Sequence, residues 1–86
     1  MRRRGVKLVV KLLGSYAHSC GTFVELDVER ECVSVKDVLA KLSEVCGEEI
    51  DLDSSTVIVD GRPAQSGDEK VCLGEKVVVV PMGVGG

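Results

Sequence analysis

The chain has 86 residues and a formal net charge of −3, which leaves room for one small domain. Seventeen residues are valine, whereas phenylalanine and tyrosine occur once each and tryptophan is absent. We therefore expect a core of small β-branched side chains in a sheet, and few aromatic rings on which nucleic-acid bases could stack. No stretch approaches the ~20 apolar residues of a membrane span, and the arginines at positions 2–4 lack the clean apolar segment of a signal peptide. These features predict a cytoplasmic protein that neither crosses a membrane nor binds nucleic acid.

The charges are distributed unevenly along the chain. Residues 1–11 carry five basic side chains and no acidic one, whereas the rest of the chain carries six basic and all fourteen acidic side chains. An acidic body favours a partner with a basic surface. We expect the basic residues 1–4 to form a solvated, frayed N-terminus, with contact to RNA or phosphate as the alternative.

The four cysteines do not form a recognisable metal or redox motif. Cys20, Cys32, Cys46 and Cys72 lie 12, 14 and 26 positions apart, and no CxxC pair occurs. A zinc site, a redox dithiol or an iron–sulfur cluster would need closer spacing, so we expect no metal and no bound cofactor. The cysteines are predicted to be small buried apolar side chains; disulfides are the alternative, with the pairing left open. His18 is interpreted as a loop residue.

Two strands and a helix are predicted in the first half of the chain. Apolar and polar residues alternate over about residues 5–13 and again over 22–29, which predicts an antiparallel pair of strands joined by a polar turn region longer than a tight turn. Ser34, with Asp37 three residues later, has the spacing of a helix N-cap. An apolar stripe follows and ends at Gly47, so the sequence predicts a helix over about 35–46.

The second half predicts further strands. A run at 56–59 leads into Asp60-Gly61, a strong tight-turn signal, and a short return strand in which Pro63 would suit a sheet edge. A polar loop at 65–70 precedes the last strand, Val77 to Pro81. The order predicts an α+β domain over residues 1–81, followed by a flexible tail over 82–86. One helix can cover only one face of the sheet.

The outer face of this sheet is a candidate binding surface. Two of the four consecutive valines in the last strand should face away from the helix. If that strand lies beside the first, they form an exposed apolar patch, which often marks an interface. The predicted patch consists of Val9, Leu13, Phe23, Val78 and Val80. The alternative is that loops or dimerisation cover both faces.

The element order, the Val59-Asp60-Gly61 turn, the segment from Leu73 to Pro81 and the terminal Gly85-Gly86 together resemble a known family. They are similar to the ubiquitin-like β-grasp sulfur carriers of the MoaD/ThiS type, which include the archaeal small modifier proteins. The resemblance implies a ubiquitin-like β-grasp fold with a mixed four- or five-stranded sheet packed on one main helix. Molybdopterin carriers often have a DGDEV-like turn and two prolines before the tail. This chain has a different turn and only Pro81 there, which leaves the branch of the family open.

The resemblance also implies a chemistry for the C-terminus. An adenylating enzyme uses ATP and Mg to activate the Gly86 carboxylate, and a sulfur donor converts it to a thiocarboxylate for molybdopterin, thiazole or tRNA-thiolation pathways. The chain is then a substrate of an enzyme and not an enzyme itself. Gly85, Val84, Gly83 and Met82 are the predicted tail-recognition residues. The implied partners are the adenylating enzyme and a sulfur donor or acceptor enzyme such as a molybdopterin synthase large subunit.

Three other hypotheses stay open. In the first, the chain is a protein modifier that is conjugated through Gly86 to lysines of target proteins. In the second, it is a β-grasp binding module that docks through its outer valine face without any tail chemistry. In the third, the tail is a glycine-rich end without a role. Dependence on the terminal glycines separates the carrier and the modifier from the other two hypotheses, because only the carrier and the modifier need these glycines.

Overall fold

A computed structural model describes residues 6–82. The predicted frayed segment 1–4 and tail residues 83–86 lie outside the described residues. The described elements, in chain order, are β1 (Val6–Leu12), α1 (Ser15–Cys20), β2 (Phe23–Val28), β3 (Cys32–Ser34), α2 (Val35–Cys46), β4 (Ser55–Val59), β5 (Arg62–Pro63), β6 (Lys70–Cys72) and β7 (Val77–Pro81).

Five of the strands form one mixed sheet in the order β2-β1-β7-β4-β5. Strands β1 and β7 run parallel, with Leu12 opposite Val79, while β2 and β4 pair antiparallel to their neighbours. Parallel neighbours need a long crossover, and α2 lies within the chain segment that connects them. Strands β3 and β6 form a separate two-stranded antiparallel ribbon. The predicted mixed sheet with one main helix is confirmed.

Helix α2 covers the inner face of the sheet and has the predicted bounds. At its start, the Ser34 hydroxyl accepts a hydrogen bond from the Asp37 N–H at 3.2 Å. At its end, Gly47 adopts a left-handed conformation with φ 72°, which costs a glycine little. The helix buries one apolar stripe: Val35, Val38, Leu39 and Leu42.

The core lies between α2 and the inward side chains of the sheet. Alternation along each strand places every second residue there, and these residues are mostly valine and leucine. The buried strand residues include Leu8, Val10, Leu12, Val24, Leu26, Val57, Val77 and Val79. Within residues 6–82, neither helix has the length and hydrophobicity of a transmembrane span.

The structure differs from the sequence-based predictions in the segments that connect the long strands and helix α2. The predicted polar turn region contains the six-residue helix α1, so His18 is an exposed helix residue and not a loop residue. Helix α1 is stabilised by burial of Tyr16, which is 6% exposed. Strands β3 and β6 have three residues each, which is too short for a periodic pattern to be visible.

All four cysteines are paired, which corrects their interpretation as separate apolar side chains. Disulfides join Cys20 to Cys46 and Cys32 to Cys72. The first connects the C-terminal ends of α1 and α2, and the second links β3 to β6 across the ribbon. Within residues 6–82, no group of three or more His, Cys, Asp or Glu side chains is arranged to hold a metal ion.

The buried stripe of α2 yields a stability prediction. Leu42 is fully buried, whereas Val45 on the same helix is 59% exposed. We expect Leu42→Ala to lower the free energy of unfolding by about 2–5 kcal/mol because it leaves a cavity. Val45→Ala is the matched control and should change it by only about 0.5 kcal/mol. Urea unfolding followed by circular dichroism measures both; equal losses would contradict this assignment of the helix faces.

Candidate functional site at the outer sheet face and the tail root

An apolar groove lies on the sheet face opposite α2. It is formed by outward side chains of β1, β2 and β7, by the start of β7 at Val77, and by the turn before β7. The residues that line this outer groove are Val9, Lys11, Phe23, Glu75, Lys76, Val77 and Val78. Phe23 is 65% exposed and Val9 is 46% exposed, so the apolar part of the groove is open to solvent.

The structure brings three of the five predicted patch residues into one groove. Val9, Phe23 and Val78 line it together. Phe23 and Val78 flank Lys11 of β1 in the sheet register, and Val9 lies two residues before Lys11 on the same face of β1. Leu13 and Val80 do not line the groove. Leu13 is 38% exposed just after β1, and alternation along β7 places Val80 on the outer face. A role of these residues in binding stays a prediction.

Sequence reasoning missed the charged side chains of the groove. The Lys11 Nζ lies 6.0 Å from the centroid of the Phe23 ring, within range of a cation–π contact. Glu75 and Lys76, in the turn before β7, also line the groove. The one signal in the sequence for Lys11 as a groove residue is its position between Val9 and Leu13, on the same outward face of the first strand. An apolar centre with charged residues beside it is typical of protein interfaces.

An ion pair lies further along the outer face. The Lys7 Nζ is 2.8 Å from the Asp27 carboxylate, and both side chains are solvent-exposed. Their hydrogen bond, followed by their charge attraction, raises the pKa of Lys7 and lowers the pKa of Asp27. Both groups therefore stay charged at neutral pH, which makes this part of β1 and β2 polar.

Strand β7 leads to a second region, which we call the tail root: Gly14, Ser54, Ser55, Pro81 and Met82. The Met82 N–H donates a hydrogen bond to the Ser54 carbonyl at 2.9 Å. Ser55 is the register partner of Pro81. A Cβ added at Gly14 would lie 2.9 Å from the Pro81 Cγ, and the φ of +64° at Gly14 also favours glycine. The chain is therefore held on two sides where β7 ends.

Met82 is the last described residue and is 44% exposed. The other predicted tail-recognition residues, Gly83, Val84 and Gly85, lie outside the described residues, as does Gly86. Leu13, just after β1, and Val80, in β7, lie between the outer groove and the tail root. The groove and the start of the tail are thus on adjoining parts of the same two central strands.

Comparison with solved structures reveals close similarity in fold. The small archaeal modifier protein 1 of Haloferax volcanii superposes with a TM-score of 0.71 at 22% sequence identity, covering 91% of this chain and 99% of that chain. A Pyrococcus furiosus protein described as a molybdopterin converting factor, subunit 1, gives 0.70 at 25% identity, with 90% and 98% covered. The small archaeal modifier protein 1 of Methanosarcina acetivorans gives 0.66 at 20% identity, with 96% and 99% covered.

These proteins are of the kinds that the sequence resembles. The resemblance is therefore confirmed, and the fold is that of the ubiquitin-like β-grasp proteins. No protein-family model matches the chain, and no curated protein matches it in sequence. The similarity thus lies in three-dimensional structure and in the order of the elements.

Proposed function

We propose that this chain is a ubiquitin-like sulfur carrier whose Gly86 carboxylate is adenylated by an activating enzyme and converted to a thiocarboxylate. The observation that supports this most directly is the combination of a β-grasp fold with an exposed apolar groove beside the root of a glycine-rich tail. Solved structures with this fold include small modifier proteins and a molybdopterin converting factor subunit. The chain acts as the substrate and not as the catalyst.

The tail chemistry follows from the properties of a carboxylate. It resists nucleophiles because it is anionic and has no good leaving group. Attack of a carboxylate oxygen on the α-phosphate of ATP releases pyrophosphate and forms an acyl-adenylate. A persulfide of the donor enzyme then attacks the carbonyl, a C–S bond forms and AMP leaves. A thiol then attacks the donor-cysteine sulfur of this acyl disulfide; the S–S bond breaks, the thiocarboxylate leaves, and the donor cysteine and the thiol are joined in a disulfide.

The composition of the tail suits this reaction. Four residues follow Met82, and three of them are glycine. At ~3.3–3.6 Å per residue, they span at most about 14 Å. Since glycine has no side chain, such a tail fits a narrow channel that leads to ATP. Met82 and Val84 would then be the contacts that the activating enzyme makes with tail side chains.

The outer groove is the proposed docking surface for the activating enzyme. Its apolar part supplies contact area, and Lys11, Glu75 and Lys76 supply charges of both signs beside it. Because the groove adjoins the strands that lead to the tail root, an enzyme bound there receives the tail without a long crossing. Val9, Phe23 and Val78 would be the central contacts, with Leu13 and Val80 on the side of the tail.

A pair of charge substitutions tests this docking surface. Phe23 and Val45 are both exposed apolar residues, but Phe23 lies in the outer groove and Val45 lies on α2. We expect Phe23→Asp to raise the KM for adenylation about 10-fold, as for a central interface residue. Val45→Asp should leave the KM unchanged. ATP–pyrophosphate exchange with the cognate adenylating enzyme measures both, and similar KM values for the two variants would contradict docking at the groove.

Conjugation to proteins is the second candidate function, because two of the similar structures are archaeal modifier proteins. Here a lysine amine of a target protein attacks the carbonyl of the acyl-adenylate or of a thioester derived from it, an isopeptide bond forms, and AMP or the thiol leaves. The modifier and the carrier share activation at Gly86, so a cell could use the same chain for both.

Intact-mass analysis of the endogenous protein tests the proposal. Replacement of one oxygen by sulfur, localised by fragmentation to Gly86, is the expected result for the carrier. Branched peptides in which Gly86 is joined to lysines of other proteins would support the modifier. If only the free carboxylate is found under several growth conditions, the tail chemistry is wrong and the binding-module hypothesis replaces it.

A further inference from the structure

A buried polar contact lies directly behind the tail root. Tyr16, in α1, is 6% exposed, and its hydroxyl oxygen lies 2.6 Å from the Ser55 Oγ. The same hydroxyl oxygen lies 3.5 Å from the Ser54 carbonyl oxygen. Ser55 is 1% exposed. Buried hydroxyl groups need hydrogen-bond partners, so these two side chains fix each other in one arrangement.

This contact adjoins the hydrogen bond that holds Met82, the last described residue. The Ser54 carbonyl beside the Tyr16 hydroxyl is the acceptor of the Met82 N–H. Ser54 is also held from the other side, because its N–H and Oγ lie 3.1 and 2.9 Å from the Asp51 carboxylate. The Tyr16 hydroxyl thus supports the backbone to which Met82 is bound.

Helix α1 itself is fastened at both ends. At its N-terminal end, Gly14 lies against Pro81. At its C-terminal end, Cys20 is bonded to Cys46 of α2. The Tyr16 ring therefore sits on a short element that cannot shift without disturbing either the end of β7 or the covalent link to α2.

We propose that Tyr16 is a positioning residue for the C-terminal tail, acting through Ser54 and Ser55 on Met82. This inference rests on the proposed function, because positioning matters for catalysis only if the tail is the reacting group. With Met82 held, the Gly86 carboxylate is four residues from a fixed point. If Met82 is released, the tether lengthens and the carboxylate spends less time at the reaction geometry.

The test is Tyr16→Phe, which keeps the ring and removes only the hydroxyl. We expect hydrogen exchange of the Met82 amide, followed by NMR, to become about 2- to 10-fold faster, as for the loss of one hydrogen bond. The kcat of adenylation should fall by a similar factor. The KM should stay unchanged because the outer groove is intact, and a merely structural role would not produce this split.

Two further variants complete the experiment. Ser55→Ala removes the other half of the same contact, so it should resemble Tyr16→Phe, and the double variant should show no additional loss of kcat. Val28→Ala is the control for general destabilisation. Val28 is buried at the far end of β2, opposite Val6, and its truncation should lower the melting temperature without changing kcat or the Met82 amide.

The outcomes separate this inference from the proposed function. If the wild-type chain is adenylated but Tyr16→Phe changes neither Met82 exchange nor kcat, Tyr16 is only a core residue and the inference is wrong. If Tyr16→Phe and Val28→Ala lower kcat equally, the effect is one of stability and the inference is again wrong. A wild-type chain that its adenylating enzyme does not activate overturns the proposed function, and the role of Tyr16 in activation with it.

Discussion

Deletion of Gly86 is expected to abolish adenylation of this chain. The deletion moves the terminal carboxylate back by one residue, about 3.3–3.6 Å, so it no longer reaches the α-phosphate of ATP. Gly86→Ala keeps the length but adds a Cβ next to the reacting carbon, and we expect it to lower kcat/KM by up to about 100-fold, as for a misplaced reacting group. ATP–pyrophosphate exchange measures both variants against the wild-type chain.

The deletion variant also supplies its own control. It retains the outer groove, so it should still bind the activating enzyme and inhibit adenylation of the wild-type chain competitively. Its thermal unfolding should match that of the wild type, because the core lies within residues 6–82. Normal adenylation of the deletion variant would show that Gly86 is not the activated residue and would remove the basis of the carrier and modifier functions alike.

The sequence predicts the parts of this fold that have a long periodic pattern. Helix α2 is predicted with the correct bounds because the Ser34 cap, a 12-residue apolar stripe and Gly47 all agree. Strands β1, β2 and β7 are predicted to within one residue at each end, since alternation extends over six or more positions in β1 and β2, and β7 is a run of four valines that ends at Pro81. Elements of this length contain enough turns or pleats for one face to be recognised.

The parts that escaped prediction depend on contacts between distant segments. Helix α1 forms where Tyr16 meets Ser55, 39 positions away in sequence. Strands β3 and β6 pair across 40 positions at Cys32 and Cys72, and neither strand has an internal pattern. A local signal exists for none of these contacts, because each depends on how the sheet and helix bring the two segments together.

The candidate site also contains residues that the sequence predicts and residues that it does not. The apolar residues Val9, Phe23 and Val78 are predictable from alternation and from the expected pairing of β1 with β7. Lys11 joins them only because the register places it between Phe23 and Val78. The tail root is not predictable at all, because the Met82–Ser54 hydrogen bond and the Gly14–Pro81 contact require the folded chain.

Loss of the disulfides is expected to lower the stability of the fold substantially. A disulfide limits the conformational freedom of the unfolded chain, and the stabilisation grows with the length of the closed loop. The two disulfides span 26 and 40 residues. We expect the paired substitutions Cys20→Ser/Cys46→Ser and Cys32→Ser/Cys72→Ser each to lower the free energy of unfolding by about 2–4 kcal/mol.

These losses are measured by urea unfolding, with and without a dithiol reductant, of the two paired variants and of a variant in which all four cysteines are replaced by serine. The reductant should lower the stability of the wild-type chain to about that of this cysteine-free variant. The cysteine-free variant is also the control, because it has no disulfide for the reductant to cleave. Intact mass of the unreduced protein should show the loss of two hydrogen atoms per disulfide. Four free thiols in the unreduced protein would contradict the pairing, as would a wild-type stability that is the same with and without the reductant.

The two disulfides should also differ in what their loss disturbs. Cys32–Cys72 joins three-residue strands that contribute few hydrogen bonds of their own, so its loss should open the ribbon locally and speed amide exchange in β3 and β6. Cys20–Cys46 fastens α1, which lies against the tail root. Its loss should instead speed exchange at Met82 and lower the kcat of adenylation, whereas loss of Cys32–Cys72 leaves both unchanged. The reverse pattern would mean that α1 does not transmit its position to the tail.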